Sequence, residues 1–326
     1  MRKRILSGMR PTGKLHLGHL VGALENWKKL QDEYECFFMV ADWHALMSEY
    51  EDPKDLKENM LDNVVDWLAC GIDPKKATIF IQSRIKEHLE LHMVFSVITP
   101  LGLLERCPTY KEQLREVTNR DLSTYGFLGY PVLQAADIAL YKAQVVPVGE
   151  DQLPHLELTR QIIRKFSHIY KKDIFPEPQA LLTKDKRLLG LDGRKMSKSY
   201  NNFIALSDEA EVIRKKVMSM FTDPQRIKVS DPGHPEKCNL RAYYSIFAPD
   251  ENKEIDESCS ASRIGCTECK KRLAEILVKF LEPIREKRKG LLKSKNEIED
   301  ILEAGCRKAQ AAAQATILEV KKTIGI

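Results

Sequence analysis

Two short stretches of the 326-residue chain carry residues suited to binding a polyphosphate. In the first, His16-Leu17-Gly18-His19, two imidazoles three residues apart share one face of a helix start. Gly18 has no side chain, so a nucleotide can approach the backbone closely, and a helix N-terminus supplies free N–H groups for phosphate. Imidazole N–H groups also stabilise oxygens that gain charge during attack at phosphorus. The pattern predicts a triphosphate site; the alternative is a chance pair of surface histidines.

The second stretch is Lys195-Met196-Ser197-Lys198-Ser199, which follows a glycine turn at Gly193. Lysine carries a compact charge on a flexible stem, which suits a mobile loop that follows moving phosphates. The serine hydroxyls add further hydrogen-bond donors. We therefore predict that this loop contacts the same polyphosphate, with an ordinary solvated basic loop as the alternative.

Four of the eight cysteines lie close together in the sequence, in the pattern C-x20-C-x6-C-x2-C. Four thiolates suit a tetrahedral zinc ion or an iron–sulfur cluster. Reduced, unligated thiols are the alternative. The predicted metal ligands are Cys238, Cys259, Cys266 and Cys269.

The elements that must position these residues follow from the apolar pattern of the first part of the chain. Ile5-Leu6 and residues 36–40 and 78–82 are apolar runs typical of buried parallel strands. Between the last two, a helix is predicted from a cap at Asp52 to Gly71. Leu56, Met60, Val64 and Leu68 recur every four residues along its inner face. This alternation indicates an α/β fold with a parallel sheet covered by helices.

The pattern changes after about residue 206. Charged stretches with helical periodicity dominate from there to the end, and the segment 304–320 is rich in alanine, which favours helix. We predict two domains, a sheet-containing domain over 1–206 and a mostly helical one over 207–326. The basic runs 270–272 and 285–289 suit either nucleic-acid phosphates or solvated helix faces.

Composition limits the class of protein. The chain is 43% hydrophobic and 30% charged with a net charge of +5, as in ordinary globular proteins, and this mild excess permits an RNA partner without requiring one. No apolar run approaches the roughly 20 residues that span a bilayer, and the apolar stretch after the basic N-terminus is too short for a signal peptide. A cytoplasmic protein with no membrane partner is predicted.

The two phosphate-binding stretches resemble the "HIGH" and "KMSKS" signatures of class I aminoacyl-tRNA synthetases, in the same order along the chain. The resemblance implies a Rossmann-type catalytic domain, ending in the lysine loop, and a helical anticodon-binding domain. It also implies that ATP and Mg²⁺ are used to activate an amino acid. The implied catalytic residues are His16, His19, Lys195 and Lys198.

Segments in the middle of the chain resemble the tryptophanyl members of this class. They are residues 41–45, 129–138, 146–152 and 158–160. The resemblance implies that Asp137 accepts the indole N–H of tryptophan, that Tyr130 and Gln152 hold its ammonium group, and that His44 lines the same pocket. An indole nitrogen only donates and an ionised carboxylate only accepts, so the pairing is chemically apt. From the residues alone, an ordinary solvated or helix-capping aspartate would be the favoured interpretation of Asp137.

The same resemblance implies the residues that face ATP and the partners. The partners would be L-tryptophan, tRNA(Trp) and a second copy of the chain. Gln134 departs from the methionine of many bacterial members. The implied ATP-facing residues are Met9, Arg10, Pro11, Thr12, Gly18, His19, Gly149, Glu150, Asp151, Leu188, Lys195, Met196, Ser197, Lys198 and Ser199.

Some tryptophanyl-tRNA synthetases that resemble this chain carry a [4Fe–4S] cluster in the helical domain, so the resemblance favours iron–sulfur over zinc at the four cysteines. The first cysteine spacing is two residues shorter here. Three other functions remain open at this point: a tyrosyl-tRNA synthetase, a small-molecule nucleotidyltransferase that shares the histidine turn, and a non-catalytic RNA-binding paralogue.

Overall fold

A computed structural model describes residues 2–116, 121–182, 188–196 and 200–326. Ser197, Lys198 and Ser199 of the lysine loop lie outside the described residues. The described chain is built on one parallel sheet of five strands in the order β3-β2-β1-β4-β5. The strands are β1 Arg4–Met9, β2 Glu35–Val40, β3 Ala77–Ile81, β4 Val145–Val148 and β5 Gln179–Leu182.

Helices cover this sheet and form the rest of the described chain. Those before the lysine loop are α1 Leu17–His19, α2 Glu25–Glu33, α3 Asp42–Glu49, α4 Leu56–Ala69, α5 Glu87–Ile98, α6 Leu101–Leu104, α7 Pro108–Glu116, α8 Tyr125–Leu128, α9 Tyr130–Leu140 and α10 Leu153–Tyr170. Those after it are α11 Ala210–Met218, α12 Asn239–Phe247, α13 Pro249–Ser260, α14 Cys266–Lys293 and α15 Lys295–Ile324.

The Rossmann-type prediction is confirmed. The three predicted strands pair in parallel, with Ile5 opposite Cys36 and Phe38 opposite Ile79. From β1 the chain first adds strands on one side of the sheet and then returns to add β4 and β5 on the other. Such a reversal opens a crevice at the carboxyl ends of the two strands where the direction changes, here β1 and β4, and ligands bind there.

Helix α4 starts later than predicted and supports the histidine turn. It begins at Leu56 after Asp55, and no side chain caps it, so the predicted cap at Asp52 is wrong. Side chains on the inner face of α4 form hydrogen bonds with the backbone just before His16. Asn63 Nδ2 donates to the carbonyl of Gly13 at 3.0 Å, and the Asp66 carboxylate accepts a backbone N–H of Leu15. The helix therefore fixes the backbone that leads into the first motif.

A buried ion pair connects α14 to this support. Arg288 binds Asp66 through Nη1 and Asp62 through Nη2, the latter at 2.5 Å. The arginine side chain is 8% exposed and the Asp66 side chain 1%. Burial raises the pKa of Asp66 to about 7, while the charge of Arg288 opposes that rise. Removing either partner would leave an uncompensated buried charge, so the pair ties the late helices to the sheet.

Helix α15 returns to the sheet and packs against it. Ala309, Ala313 and Ile317 share a hydrophobic core with Phe37 and Phe80 of the strands. At Gly305 the contact is closest: a Cβ built there would lie 1.8 Å from the carbonyl oxygen of Ile79 in β3. Only a residue without a side chain fits at this position.

We predict that Gly305→Ala lowers the free energy of unfolding by about 1–3 kcal/mol, because the added methyl group must push α15 away from β3. The matched control is Gly290→Ala in α14, where an added Cβ meets nothing within 4 Å. There alanine should stabilise the helix by up to about 1 kcal/mol. Urea unfolding followed by circular dichroism measures both. Equal stability of Gly305→Ala and the unmutated protein would contradict this packing.

Candidate functional site

A cavity of about 360 Å³ opens at the crevice between β1 and β4. Its wall combines the end of β1, the inner face of α9, β4 and the turn that follows β4. Apolar side chains such as Ile138, Val146 and Val148 line it together with a similar share of polar groups. The predicted site residues that line it are Met9, Arg10, His44, Tyr130, Asp137, Gly149 and Gln152; Gln134 lines it too.

Asp137 forms the polar floor of the cavity. Its side chain is only 2% exposed and accepts three hydrogen bonds. His44 Nε2 donates to Oδ2 at 2.7 Å, while His88 Nδ1 and Gln82 Nε2 donate to Oδ1 at 2.6 and 2.8 Å. Burial alone would raise the pKa of Asp137, but the hydrogen bonds and charges of His44 and His88 outweigh it and hold the pKa below its usual range. The carboxylate is therefore ionised.

Sequence reasoning missed two of these three donors, Gln82 and His88. Gln82 had a usable signal, because it is the last residue of the predicted strand run 78–82, and side chains at the carboxyl ends of parallel strands meet near the ligand crevice. His88 had none. It lies at the start of α5, fully buried, with Nε2 at 2.8 Å from the hydroxyl of Tyr141. Its nearness to Asp137 follows only from how α5 packs on α9.

A second polar group joins Tyr130 and Gln152 through a residue that sequence reasoning also missed, His155. The Tyr130 hydroxyl lies 2.7 Å from His155 Nε2, and Gln152 Oε1 lies 2.9 Å from His155 Nδ1. Thr109 Oγ1 is 2.6 Å from the same Nε2. Burial lowers the pKa of His155 to about 4 and raises the pKa of Tyr130 to about 12. Both groups are neutral at pH 7.

The histidine turn lies at the start of the helix that follows β1. His16 is its N-cap, and His16 Nδ1 accepts the backbone N–H of Gly18 at 3.2 Å. His19 Nδ1 accepts the backbone N–H of His16, also at 3.2 Å. An Nδ1 that accepts carries no proton, so each neutral ring has its N–H at Nε2. Both imidazoles are thus preset as donors through the same atom.

The described part of the lysine loop lies beside this turn. A Cβ built on Gly18 would be 3.3 Å from Met196 Sδ, so the absence of a side chain at Gly18 leaves room for the loop. Lys195 is exposed and pairs with Leu189 in an antiparallel bridge. Residues of α12 hold the segment before it: Tyr243 donates to the carbonyl of Leu189 at 2.7 Å.

Five further described residues predicted to face ATP are not among those that line the cavity. Pro11 and Thr12 form the turn after β1, where the Thr12 N–H donates to the carbonyl of Arg10. Glu150 and Asp151 are exposed in a short 3₁₀ helix after β4. Leu188 is buried in the hydrophobic core that includes Leu17 and Leu20.

The predicted metal site at Cys238, Cys259, Cys266 and Cys269 is not supported. Among the described residues, which include all four cysteines, no group of three or more His, Cys, Asp or Glu side chains is arranged to hold a metal ion. Burial raises the pKa of Cys238 and Cys259, and that of Cys269 to about 12, so these thiols are protonated in the metal-free protein. The spacing of the cysteines in the sequence therefore does not by itself produce the side-chain arrangement that metal binding requires.

Several cations of the two basic runs are used within the chain. Arg272 pairs with Glu251 and Glu254, and Lys289 pairs with Glu209 and Glu286. Together with the buried Arg288, these contacts favour structural roles for these three side chains. No helix in the described part of the chain combines the length and apolar character needed to cross a bilayer.

Comparison with known proteins gives one consistent result. The family model of class I tRNA synthetases for tryptophan and tyrosine matches residues 2–282. The tryptophan–tRNA ligases of Thermotoga maritima and Aquifex aeolicus are 51% and 46% identical to the chain, with 99% of the chain and 99% and 100% of those proteins covered.

A solved structure agrees with these relatives. The tryptophanyl-tRNA synthetase of Campylobacter jejuni, crystallised with ADP and tryptophan, superposes with a TM-score of 0.90 at 34% sequence identity. The match covers 99% of this chain and 100% of the Campylobacter chain. With matches of this extent, the chain belongs to the tryptophan–tRNA ligase family of class I tRNA synthetases.

Proposed function

We propose that this protein activates L-tryptophan with ATP and transfers it to tRNA(Trp). The observation that carries the proposal is the ionised Asp137 carboxylate on the floor of a cavity that both apolar and polar side chains line. A carboxylate has about four acceptor positions, and side chains of the described residues occupy three at Asp137. A ligand that is flat, apolar and equipped with one N–H donor fits the remaining one, and the indole of tryptophan has these properties.

The amino-acid end of the substrate would face the other polar group of the cavity. Tyr130 and Gln152 supply a hydroxyl oxygen and an amide oxygen on the same wall, which suit an ammonium group. His44 lines the cavity while it donates to Asp137, so it orients the carboxylate that receives the indole. The substrate carboxylate would then point towards the histidine turn.

ATP would bind where the two motifs meet. His16 and His19 offer Nε2–H donors at a helix start, and Lys195 adds a positive charge from the loop beside it. We assign the ATP-facing roles to Met9, Arg10, Pro11, Thr12, Gly18, Gly149, Glu150, Asp151, Leu188 and Met196 as well, and to Ser197, Lys198 and Ser199 outside the described residues. Mg²⁺ enters with ATP as part of the substrate.

The reaction needs positioning and charge stabilisation rather than a covalent enzyme intermediate. The tryptophan carboxylate attacks the α-phosphorus in line, pyrophosphate leaves, and tryptophanyl-adenylate forms. The histidine and lysine donors stabilise the charge that builds on the phosphate oxygens. A ribose hydroxyl at the 3′ end of the tRNA then attacks the acyl carbon and releases AMP. We assign catalysis to residues 1–206 and anticodon binding to residues 207–326. The reaction would take place in the cytoplasm.

A homodimer is supported by an exposed apolar stripe on α5. Leu89, Met93 and Val97 lie four residues apart, so they share one helix face. Met93 is 63% exposed and Val97 71%, and Leu101 just beyond the helix is 60% exposed. Monomeric proteins rarely expose such a contiguous set, which suits burial against a second copy.

A metal or iron–sulfur cofactor at the four cysteines would have no part in this mechanism. In its favour, the charges of Cys238, Cys259 and Cys266 reach Cys269 and influence its pKa, so the thiols are near neighbours. Against it, the described residues present no metal-binding arrangement. Iron, sulfide and zinc analysis of anaerobically purified protein decides between an iron–sulfur cluster, zinc and free thiols, and no catalytic step depends on the result.

The function is tested by pyrophosphate–ATP exchange with tryptophan and, separately, with tyrosine, followed by tRNA charging. Exchange with tryptophan alone is expected, because tyrosine brings no N–H donor from a fused ring to Asp137. Preference for tyrosine would favour the tyrosyl alternative. Exchange with neither would favour a nucleotidyltransferase of other substrate or a non-catalytic paralogue.

We predict that Asp137→Asn lowers kcat/KM for tryptophan roughly 10- to 100-fold, since a hydrogen bond to a charged acceptor is worth about 1.5–3 kcal/mol. The matched control is a substrate: benzothienylalanine carries sulfur in place of the indole N–H. Its kcat/KM should change far less. A loss of the same size for both amino acids would show that Asp137 does not inspect the indole nitrogen.

We predict that Lys195→Ala slows tryptophan-dependent exchange roughly 10²-fold, as expected when one charge-stabilising donor is removed. The drop should appear mainly in kcat, because the charge on the phosphate grows during attack. Lys279→Ala, an exposed lysine on α14, is the control and should exchange at the unmutated rate. An unchanged rate in Lys195→Ala would remove the loop from the mechanism.

We predict that Val97→Glu and Met93→Glu shift the protein from dimer to monomer in sedimentation velocity, since each buries a charge in the proposed interface. Leu318→Glu on α15, at a leucine that is 66% exposed, is the control and should sediment like the unmutated protein. A Val97→Glu protein that remains dimeric places the interface elsewhere.

A further inference from the structure

One imidazole connects both proposed acceptors of the substrate ammonium. His155, in the first turns of α10, is 2% exposed and lies between the Tyr130 hydroxyl and the Gln152 amide. The contacts are 2.7 Å from Nε2 to Tyr130 and 2.9 Å from Nδ1 to Gln152 Oε1. Neither the two signatures nor the proposed mechanism uses this histidine.

The proton on His155 can be placed from its neighbours. Gln152 Nε2 donates to Asp151 Oδ2 at 2.9 Å, and because a carboxylate only accepts, this contact fixes the orientation of the amide. Gln152 Oε1 therefore faces His155 Nδ1, and an amide oxygen also only accepts. Nδ1 must carry the hydrogen. With burial keeping the ring neutral, Nε2 is left as an acceptor.

Two hydroxyls approach that single acceptor, and both arrangements give the same result at Tyr130. Either Tyr130 donates directly to Nε2, or Thr109 does so from 2.6 Å and Tyr130 donates to Thr109 Oγ1 at 3.3 Å. In each case the Tyr130 hydrogen points into the protein. The lone pairs of its oxygen then face the cavity, where an ammonium group can donate to them.

We propose that His155 is a positioning residue that holds the Tyr130 hydroxyl oxygen and the Gln152 amide oxygen as acceptors, and thereby selects substrates that carry an α-ammonium group. The proposal rests on the function inferred above. A group that donated from the position of Nε2 would turn the Tyr130 hydroxyl around and present its hydrogen to the ammonium. The histidine lines the cavity, and it acts on the ammonium group through these two neighbours.

The test compares two ligands and two variants. L-Tryptophan and indole-3-propionate share the indole and the carboxylate, but only tryptophan has the ammonium group. His155→Gln can keep an oxygen acceptor near the position of Nε2, whereas the shorter side chain of His155→Asn cannot reach it. Dissociation constants for both ligands are measured by titration calorimetry, with unfolding midpoints to establish that both variants are folded.

The expected result is a loss of roughly 10-fold or more in tryptophan affinity for His155→Asn, with indole-3-propionate affinity unchanged and partial recovery of tryptophan affinity in His155→Gln. The proposal would be overturned if His155→Asn lost affinity for both ligands equally, or if the two variants had the same tryptophan affinity. His155 would then be a packing residue. Tryptophan-dependent pyrophosphate–ATP exchange by the unmutated protein is measured separately, as the test of the proposed function. Its absence would refute the proposed function, whatever the affinity ratio of the variants.

Discussion

The proposed recognition of tryptophan depends on keeping the Asp137 carboxylate ionised at a buried position. An isolated buried carboxylate takes up a proton, since desolvation penalises its charged form. Asp137 avoids this because donors from three elements reach it: His44 of α3, Gln82 after β3 and His88 of α5. The rest of the catalytic region must therefore be packed closely enough to keep these three in register. In the proposed binding mode, specificity for an N–H donor follows from the packing of the core rather than from a surface loop.

The opposite end of the site depends on backbone geometry held from outside the sheet. The histidine turn rests on α4, which is in turn paired with Arg288 of α14, and the lysine loop rests on α12 through Tyr243. Both motifs are thus connected to the helices that follow residue 206. A change in the position of those helices would therefore reach both phosphate-binding motifs together.

The parts of this arrangement that sequence predicted are those with a local cause. Strands β1–β3 were predictable because continuous apolar runs have few alternatives, but β4 is short and contains Pro147, and β5 is largely unburied, so neither shows a strand pattern. Tertiary proximity has no such local signature. His88 and Asp137 are 49 residues apart in sequence, and nothing before folding connects them. The cysteines show the converse, since closeness in sequence did not produce a metal-binding geometry.

The two polar groups of the cavity each present a hydrogen-bond acceptor to the ligand, but they do so in different ways. At Asp137 the acceptor is permanent, because an ionised carboxylate has no hydrogen to donate. A tyrosine hydroxyl can donate or accept, so Tyr130 is selective for an ammonium only if something fixes its hydrogen. A neutral histidine whose own proton is committed to Gln152 provides that fixation without placing a charge beside the ammonium. In the proposed binding mode, a charged acceptor thus meets the neutral part of the ligand, the indole, and a neutral, oriented acceptor meets its charged ammonium group.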